Sequence, residues 1–474
     1  MKKFDLVIVG GGAGMMVMDA ALNHGLTCAI IEKDKFGGTC LTKGCIPSKM
    51  LVYPADYIRE TESISRIGIH VQKPEIDWDA ISKRMWEQID FSDQIEKRIK
   101  ELGNLTLFKG KGSFISSNQM VINYGNGQGD EVIQGDRFII ATGARSQIPK
   151  INGLEEAGYI TSENFFGDQY PEKPWNSLAI IGSGAISLEF AHIFSAFGTK
   201  VTMVARSGGI LRKEDEEISS FVQRQFELNG IDILVDSDII SVSKEGGMKI
   251  VTVENRNTKE RKTIKCEEIL VASGSQSTAD ELGLDKAGVE VDKGNWIITN
   301  EFLETNQANI WAIGDVNGKY QFRHTANHEA QVLVHNLFNG KNKMEVNYHA
   351  TPWAIFTHPQ VGRVGATEQE LKDQGIPYLS AKNYYSEVVG GRAMGFRNTD
   401  EDNGFVKVLL GEDKRILGVH IVGPQAATLV QPFVYLMNME IKSNLSAYDL
   451  IDGSMIIHPS LSELTAWVLG KIET

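Results

Sequence analysis

The chain has 474 residues, 42% apolar and 23% charged, which excludes a mainly disordered protein. Its 48 basic and 61 acidic residues give a net charge of −13, which disfavours nucleic acid as a ligand. No apolar run approaches the roughly 18 residues of a membrane span, and four cysteines are too few for a secreted disulfide framework.

A strand–turn–helix–strand pattern begins near the amino terminus. Residues 4–9 predict a buried strand, the glycine-rich residues 10–14 a turn before a helix, and residues 27–31 a second strand. Glycines let the backbone approach a pyrophosphate, and the helix amino terminus supplies free N–H groups. Glu32 follows Gly10 by 22 residues, where a carboxylate can accept hydrogen bonds from a ribose. The pattern predicts a dinucleotide site, with a generic tight turn as the alternative.

The glycine turn departs from the G-x-G-x-x-G pattern at its third glycine, where this chain has Met15. That glycine normally allows the helix to lie close to the strand. We therefore expect looser packing of helix against strand at this point.

Two of the four cysteines, Cys40 and Cys45, lie five positions apart in residues 37–49. On a helix or tight turn this spacing brings two sulfurs within reach of one another. It is not zinc-finger spacing, and no second pair matches it, so we expect no metal site. Cys28 and Cys266 stand alone in apolar strands and are expected in the core.

The central part of the chain repeats the opening pattern. Residues 78–102 show helical spacing of apolar residues, and residues 138–143 predict a buried strand that ends in glycine. About 170 residues after the first turn, a strand at 178–181 leads into a turn at 182–187, and a strand at 200–204 follows the next helix. The repeat predicts a second dinucleotide site.

The residues after this last strand bear on which nucleotide binds. Ala205 stands where an acid would select an unphosphorylated ribose, and Arg206 and Arg212 follow it. Arginines can hold a 2′-phosphate by bidentate hydrogen bonds, which favours NADPH over NADH. The alternative is that both are ordinary exposed loop arginines.

Further along, residues 269–274 repeat the strand-to-glycine pattern, and a strand at 310–313 ends at Gly314 and Asp315. From about residue 348 the pattern changes. Residues 405–410 and 416–422 alternate like antiparallel strands, and helices follow. The last part of the chain is therefore predicted to be a separate α+β domain.

His458 and Glu463 form a potential acid–base pair near the carboxyl terminus. A carboxylate five residues after a histidine can set the tautomer of the imidazole and raise its basicity. A satisfied surface histidine is the alternative. His358, which precedes a proline, is expected to be structural.

Taken together, these motifs resemble the FAD-dependent pyridine nucleotide–disulfide oxidoreductases, which include dihydrolipoamide dehydrogenase, mycothione reductase, glutathione reductase and mercuric reductase. The resemblance covers essentially the whole chain. The motifs that carry it are, in chain order, residues 10–14, 37–49, 141–143, 182–187, 305–315 and 458–463.

The resemblance implies an α/β fold with two Rossmann-like dinucleotide-binding domains, for FAD and NAD(P), and a carboxyl-terminal α+β dimerisation domain. The expected divisions are residues 1–150 and 276–347 for the two parts of the FAD-binding domain, 151–275 for the NAD(P)-binding domain and 348–474 for the dimerisation domain.

It also implies roles for individual residues. Cys45 would face the flavin, and Cys40 would exchange with a disulfide substrate. His458, oriented by Glu463, would move protons at the active site of the other subunit. Lys49 would lie beside the flavin.

The residues expected to take part in catalysis are Cys40, Cys45, Lys49, Glu189, His458 and Glu463. Those expected to bind FAD are Gly10, Gly12, Gly14, Glu32, Gly38, Thr39, Lys49, Thr142, Gly143 and Asp315. Those expected to bind NAD(P) are Gly182, Gly184, Arg206, Arg212 and Gly274. Within these sets, Lys49 would pair with Glu189, and Asp315 would bind the ribityl chain of FAD.

Two substrate hypotheses remain open. Residues 44–49 and 458–463 look most like dihydrolipoamide dehydrogenase, although Ile456 stands where that enzyme usually has a second histidine. Residues 189–198 and 326–330 look more like mycothione reductase, an NADPH-dependent reductase of a small thiol's disulfide.

Other members and other classes fit less well. Gln331 replaces a substrate-binding arginine of glutathione reductase, and the cysteine pair that mercuric reductase has at its carboxyl terminus is not found. A flavoenzyme without a dithiol, or a non-catalytic assembly subunit, would not need Cys40 and Cys45. We expect a cytoplasmic homodimer with a role in cell redox homeostasis, whose docking to a larger lipoyl enzyme complex is compatible with catalysis.

Overall fold

The computed structural model describes residues 1–125, 127, 129–339, 341–440 and 446–472. Glu473 and Thr474, the last residues of the expected dimerisation domain, lie outside this range.

The strands are, in chain order, β1 (Lys2–Phe4), β2 (Leu6–Val9), β3 (Cys28–Ile31), β4 (Leu105–Phe108), β5 (Lys111–Ser116), β6 (Gln119–Asn123), β7 (Glu131–Gly135), β8 (Phe138–Ile140), β9 (Ala144–Ser146), β10 (Ser177–Ile181), β11 (Lys200–Val204), β12 (Asp232–Leu234), β13 (Ser237–Glu245), β14 (Met248–Asn255), β15 (Arg261–Cys266), β16 (Glu268–Val271), β17 (Ser275–Ser277), β18 (Ile310–Ala312), β19 (Pro352–Ile355), β20 (Val361–Gly365), β21 (Leu379–Tyr384), β22 (Phe405–Leu410) and β23 (Ile416–Val422).

The helices are, in chain order, α1 (Gly14–Asn23), α2 (Gly38–Thr42), α3 (Cys45–Ser63), α4 (Trp78–Ile89), α5 (Phe91–Lys100), α6 (Leu154–Ala157), α7 (Ser162–Phe165), α8 (Ala185–Ala196), α9 (Glu216–Leu228), α10 (Leu284–Ala287), α11 (Arg323–Val334), α12 (Glu368–Gln374), α13 (Val389–Ala393), α14 (Ala426–Leu429), α15 (Gln431–Glu440), α16 (Ala447–Asp452) and α17 (Ser462–Trp467).

A five-stranded parallel sheet contains the first predicted βαβ unit, with the strand order β18-β8-β2-β3-β4. Strand β18 comes from late in the chain, so this sheet is assembled from two separated segments. The predicted strand at residues 4–9 divides at Asp5: β1 pairs with β7 in a second sheet, and β2 lies in the parallel sheet. The side chain of Asp5 accepts the backbone N–H of Thr27 at 2.8 Å and helps to hold this division.

A four-stranded parallel sheet, in the order β12-β11-β10-β16, contains the second βαβ unit. Helix α8 follows β10, and most of its residues are buried. The predicted strand at 200–204 coincides with β11.

The carboxyl-terminal part forms a five-stranded antiparallel sheet, in the order β19-β20-β23-β22-β21. Both predicted strands of this part, β22 and β23, are antiparallel neighbours, and every residue of β22 is buried. The fold class predicted from the sequence is therefore confirmed, whereas the residue limits of the domains stay a prediction.

Two glycines occupy equivalent positions in the two parallel sheets. Gly10 has a φ of 109°, and a Cβ at this residue would lie 2.3 Å from the carbonyl oxygen of Ala141. Gly182 has a φ of 127°, and its Cβ would lie 2.2 Å from the carbonyl oxygen of Ala272. Only glycine can place a turn so close to the neighbouring strand.

The helix after the first turn approaches its strand at Gly14, where a Cβ would lie 2.7 Å from Cγ2 of Ile8. The next residue, Met15, is partly buried and packs against the adjacent apolar core. In the G-x-G-x-x-G pattern the third glycine lets the helix lie close to the strand. In this chain that contact is made one residue earlier, at Gly14.

Candidate active site

The two cysteines of the predicted redox pair lie on consecutive helices. Cys40 is in α2 and is half-buried, and Cys45 is the first residue of α3 and is exposed. The two thiols are near enough that each shifts the pKa of the other. A Cβ on Gly38 would lie 2.9 Å from Cα of Gly12, so α2 begins directly against the first glycine turn.

The two thiols differ in acidity. The hydrogen bond from Cys40, together with the nearby Lys49 cation, lowers the pKa of Cys45 to about 7. The same hydrogen bond and burial raise the pKa of Cys40. Cys45 is therefore the more acidic of the two thiols, as expected for a cysteine near a lysine at the start of a helix.

Lys49 is held by a carboxylate of the second βαβ unit. Its Nζ lies 2.7 Å from Oε2 of Glu189 on α8, so the predicted pairing is present. The other oxygen of Glu189 accepts the backbone N–H of Phe356 at 3.1 Å, and Lys49 Nζ lies 4.5 Å from the centre of the Phe356 ring. The backbone and the ring of Phe356 thus both contact the ion pair.

Two further contacts join α3 to α8 beyond this pair. Asp56 Oδ1 lies 2.8 Å from Nε2 of the buried His192, and Arg59 Nη2 donates to Oγ of Ser195 at 2.7 Å. Burial lowers the pKa of His192, while Asp56 acts in the opposite direction. Together with the Lys49–Glu189 ion pair, these two contacts therefore fix the position of α3 relative to α8.

The first glycine turn offers space for a dinucleotide. A Cβ on Gly12 would meet no atom closer than Cα of Gly38 at 3.7 Å, with Arg323 Nη1 at 4.0 Å. The turn is therefore open toward the guanidinium of Arg323, and this cation can face a pyrophosphate. Glu32 accepts the N–H of Gly11 at 2.6 Å and stays half-exposed, where a ribose can reach it. These residues fit FAD.

Asp315 is the second residue of a short 3₁₀ turn after β18, Gly314–Asn317. The turn is held by the fully buried Glu329, which accepts the N–H of Gly314 at 2.5 Å and bonds to the side chains of Asn317 and Tyr348. Burial, reinforced by the carboxylate of Glu329, raises the pKa of Asp315 to about 6. The side chain is thus presented by a rigid loop.

The segment after β8 contains the other expected FAD residues. Thr142 Oγ1 accepts a hydrogen bond from Thr278 Oγ1 at 2.8 Å, and the carbonyl of Gly143 accepts from the same hydroxyl at 3.0 Å. Thr39, between Gly38 and Cys40, is exposed. These contacts tie the two separated segments of the first parallel sheet together.

The second glycine turn is also open, since no heavy atom lies within 4 Å of a Cβ built on Gly184. The N–H of Leu211 donates to the carbonyl of Ser183 at 3.0 Å, which places the loop after β11 against this turn. Gly274 has a φ of 122° and its carbonyl accepts the N–H of Gln147.

The two candidate phosphate-binding arginines differ in their surroundings. Arg206 is 79% exposed and its Nε lies 3.0 Å from Oδ1 of Asp238, which Arg256 also approaches. Arg212 is exposed. Ala205 is fully buried, so no acid occupies the position that would oppose a phosphate.

His458 and Glu463 are paired, as the sequence predicts. Nδ1 of His458 bonds to Oε1 of Glu463, and the N–H of Ser460 donates to Oε2 at 3.2 Å. The hydrogen bond with His458 lowers the pKa of Glu463. Glu463 is buried, whereas the His458 side chain is 64% exposed and faces outward.

The remaining cysteines, Cys28 and Cys266, are buried in strand contexts, and burial raises the pKa of each thiol to about 11. This confirms their expected place in the core. Among the described residues, no helix is long and apolar enough to cross a membrane.

Comparison with known proteins assigns the chain to a family. Residues 4–330 match the model of the pyridine nucleotide-disulphide oxidoreductases, and residues 351–469 match the dimerisation domain of the same family. The chain belongs to this family. Pyridine nucleotide-disulphide oxidoreductases bind FAD and a pyridine nucleotide, and the family hypothesis from the sequence is confirmed.

Its relatives within the pyridine nucleotide-disulphide oxidoreductases carry different names. It is 32% identical to dihydrolipoyl dehydrogenase of Chlamydia muridarum, over 98% of this chain and 96% of the relative. It is 31% identical to mycothione reductase of Mycobacterium tuberculosis, over 98% of both chains. The solved flavoprotein disulfide reductase RclA of Escherichia coli, described as HOCl-induced, is 25% identical with a TM-score of 0.83, over 98% of this chain and 99% of that one.

Sequence reasoning missed several residues of this site. Glu329, Arg323, Asp56 and His192 each lie on a different element from the residues that they approach. Glu329 lies in a segment that we noted only for its resemblance to mycothione reductase. No spacing in the sequence indicates the contact between Asp56 and His192, which are 136 residues apart.

Replacement of Lys49 by methionine tests the source of the Cys45 acidity. In FAD-loaded protein reduced by two electrons, the long-wavelength absorbance of a thiolate beside the flavin should appear as the pH rises through about 7. Loss of the cation disfavours the thiolate, so the midpoint should move upward by roughly one pH unit or more. The measurement is a pH titration of this absorbance.

Lys43→Met is the matched control, since Lys43 pairs with Asp34 rather than with the thiols. Its midpoint should equal that of the unchanged protein. An unaltered midpoint in Lys49→Met would contradict the role given to Lys49.

Proposed function

We propose that the chain moves electrons between NAD(P)H, FAD, the Cys40–Cys45 pair and a small dithiol or disulfide, with dihydrolipoamide as the first candidate substrate. The observation that carries the proposal is the placement of Cys40 and Cys45 on consecutive helices, with Cys45 at the first residue of α3 and the Lys49–Glu189 ion pair one helical turn further on. The relatives named dihydrolipoyl dehydrogenase support this choice of substrate.

The proposed reaction is reversible and balances as NAD(P)H, one proton and one disulfide giving NAD(P)⁺ and two thiols. FAD, which Gly10, Gly12, Gly14 and Glu32 would hold, would supply the two-electron chemistry that links the nucleotide to the cysteine pair. Cys40, after giving its proton to His458, would attack the substrate disulfide, form a mixed disulfide and release one substrate thiol. Cys45 then attacks the Cys40 sulfur, which releases the second thiol.

His458 would supply and remove the protons of these exchanges. Its Nδ1 is held by the buried Glu463, so Nε2 is free to face a thiol. The exposure of the His458 side chain supports a role in proton transfer at the active site of another subunit.

A second candidate is the NADPH-dependent reduction of a low-molecular-weight disulfide, as in mycothione reductase. The buried Ala205 and the exposed Arg206 and Arg212 favour it, because they suit a phosphorylated ribose. The mycothione reductase relative is as similar to the chain as most of the dihydrolipoyl dehydrogenases are.

The proposed assembly is a homodimer formed by the carboxyl-terminal part. Large apolar side chains are exposed there, within the segment that matches the dimerisation domain: Tyr435, Met439, Met455, Ile457 and Trp467. A second copy would remove them from water. We also predict that the protein is cytoplasmic and that it can dock to a larger lipoyl enzyme complex.

The substrate is tested by a steady-state assay of FAD-loaded protein with dihydrolipoamide, comparing NAD⁺ with NADP⁺. We expect the nucleotide to be reduced, with NADP⁺ preferred. Absence of turnover with both would contradict dihydrolipoamide as substrate and favour the small-disulfide reductase. Cys40→Ser should lower kcat by more than about a hundredfold, as for other essential nucleophiles, while Cys28→Ser should retain it.

The nucleotide preference is tested by Arg206→Met and Arg212→Met. Each removes a charge-assisted hydrogen bond to a 2′-phosphate, so each should raise the KM for NADPH by about tenfold and leave that for NADH unchanged. Arg261→Met is the control, because Arg261 pairs with Glu254 elsewhere in the same part of the chain. Equal effects on both nucleotides would contradict the phosphate clamp.

Mixed dimers test whether His458 acts on the other subunit. When Cys40→Ser and His458→Ala subunits are co-expressed with different tags, the purified heterodimer should regain about half of the activity, since one of its two sites is intact. A heterodimer of Cys40→Ser with Cys45→Ser should stay inactive. No recovery in the first heterodimer would place His458 at the site of its own subunit.

A further inference from the structure

The loop between β11 and α9 bears both candidate phosphate-binding arginines, and its last residues contact the carboxyl-terminal sheet. The carbonyl of Lys213 accepts a hydrogen bond from Nη1 of Arg363 on β20. Nη2 of the same arginine lies 2.7 Å from Oε2 of Glu370 on α12. Lys213 directly follows Arg212. The loop between β11 and α9 is therefore attached to the carboxyl-terminal sheet just after this arginine.

The next residue, Glu214, bonds to His420 on β23 at 2.5 Å, and both side chains are fully buried. Nε2 of His420 lies 2.9 Å from the carbonyl of Ala366, which can only accept. His420 thus bridges the Glu214 carboxylate and this carbonyl through its two ring nitrogens. The contact joins the loop to the sheet away from water, where such a hydrogen bond is strong.

The third residue, Asp215, accepts from Lys407 on β22 through both carboxylate oxygens, at 3.0 Å each. The side chains of Asp215 and Lys407 are 0% and 2% exposed. Lys407 also lies 2.6 Å from Glu368 and 2.8 Å from Glu217. A buried cation among three carboxylates holds its partners in one arrangement, because loss of any contact leaves a charge uncompensated.

The other end of the loop is held at the second glycine turn. Leu211 has a φ of 50°, a left-handed conformation that a buried leucine adopts only where its surroundings impose it. Its N–H donates to Ser183, between Gly182 and Gly184. Arg212 thus lies between an anchor on the glycine turn and an anchor on the carboxyl-terminal sheet.

We propose that Lys407, together with Arg363 and His420, is a positioning residue for the pyridine nucleotide. These three side chains hold residues 213–215, and through them fix Arg212 relative to the second glycine turn. The carboxyl-terminal domain thereby sets nucleotide affinity without touching the nucleotide. This inference rests on the proposed function, because it takes the second glycine turn as the nucleotide site.

The test is Lys407→Met in FAD-loaded protein, with Lys382→Met as matched control. Lys382 bonds to Glu217 in the same cluster, does not contact Asp215 and is partly exposed. Calorimetric titration with NADP⁺ and with NAD⁺ should show a Kd for NADP⁺ raised by about tenfold in Lys407→Met, the loss expected for one displaced charge-assisted contact. The Kd for NAD⁺ should rise less, since Arg212 faces only the phosphate.

Turnover with dihydrolipoamide supplies a second readout, in which the KM for the nucleotide should rise while kcat stays unchanged. The binding titration does not need a thiol substrate, so it decides the inference even where dihydrolipoamide is not turned over. Failure of NADP⁺ and NAD⁺ to bind the unchanged protein would overturn the proposed function itself.

Retained FAD and circular dichroism report whether Lys407→Met folds. An unchanged Kd for NADP⁺ in folded Lys407→Met overturns the inference, as does an equal rise in Lys382→Met. Where Lys407→Met does not retain FAD, Arg363→Met decides, because it releases Lys213 without leaving the carboxylates around Lys407 unpaired. It should raise the Kd for NADP⁺ similarly, and an unchanged value overturns the inference.

Discussion

The ion pair between Lys49 and Glu189 is the contact on which the rest of the site depends. It joins α3, whose first residue is Cys45, to α8, which starts at the second glycine turn. The pair is largely shielded from water, so the attraction between its charges exceeds that of an exposed pair. Lys49 therefore adds to the effect of Cys40 in lowering the pKa of Cys45, and its pairing with Glu189 links α3 to the helix of the second glycine turn.

The same contact explains why α3 and α8 need further polar links. A single ion pair can act as a pivot, but Asp56–His192 and Arg59–Ser195 remove the rotation about it. Burial makes each of these links costly to break, since a separated partner would remain away from water. Electron transfer over a fixed distance is the expected benefit of this rigidity.

The two glycine turns have the same backbone geometry but differ in the residues around them. Gly10 and Gly182 each lie against a carbonyl of the neighbouring strand, where a side chain cannot fit. After the next strand, however, Glu32 ties one turn to its sheet, whereas Ala205 leaves the other free of negative charge. The carboxyl-terminal sheet adds to this difference, since it holds the loop of Arg212 through buried charges.

Local sequence determined the strands, the glycine turns, the spacing of Cys40 and Cys45 and the family, because each depends on neighbouring residues and on backbone conformation. The pairs Lys49–Glu189 and His458–Glu463 were also reached, the first only through the resemblance. Only the tertiary structure decided the contacts of Glu329 with the loop of Asp315, of Asp56 with His192 and of Asp215 with Lys407. Their members are brought together by the closure of sheets from distant segments, and a buried charge leaves no periodic pattern in the sequence that names its partner.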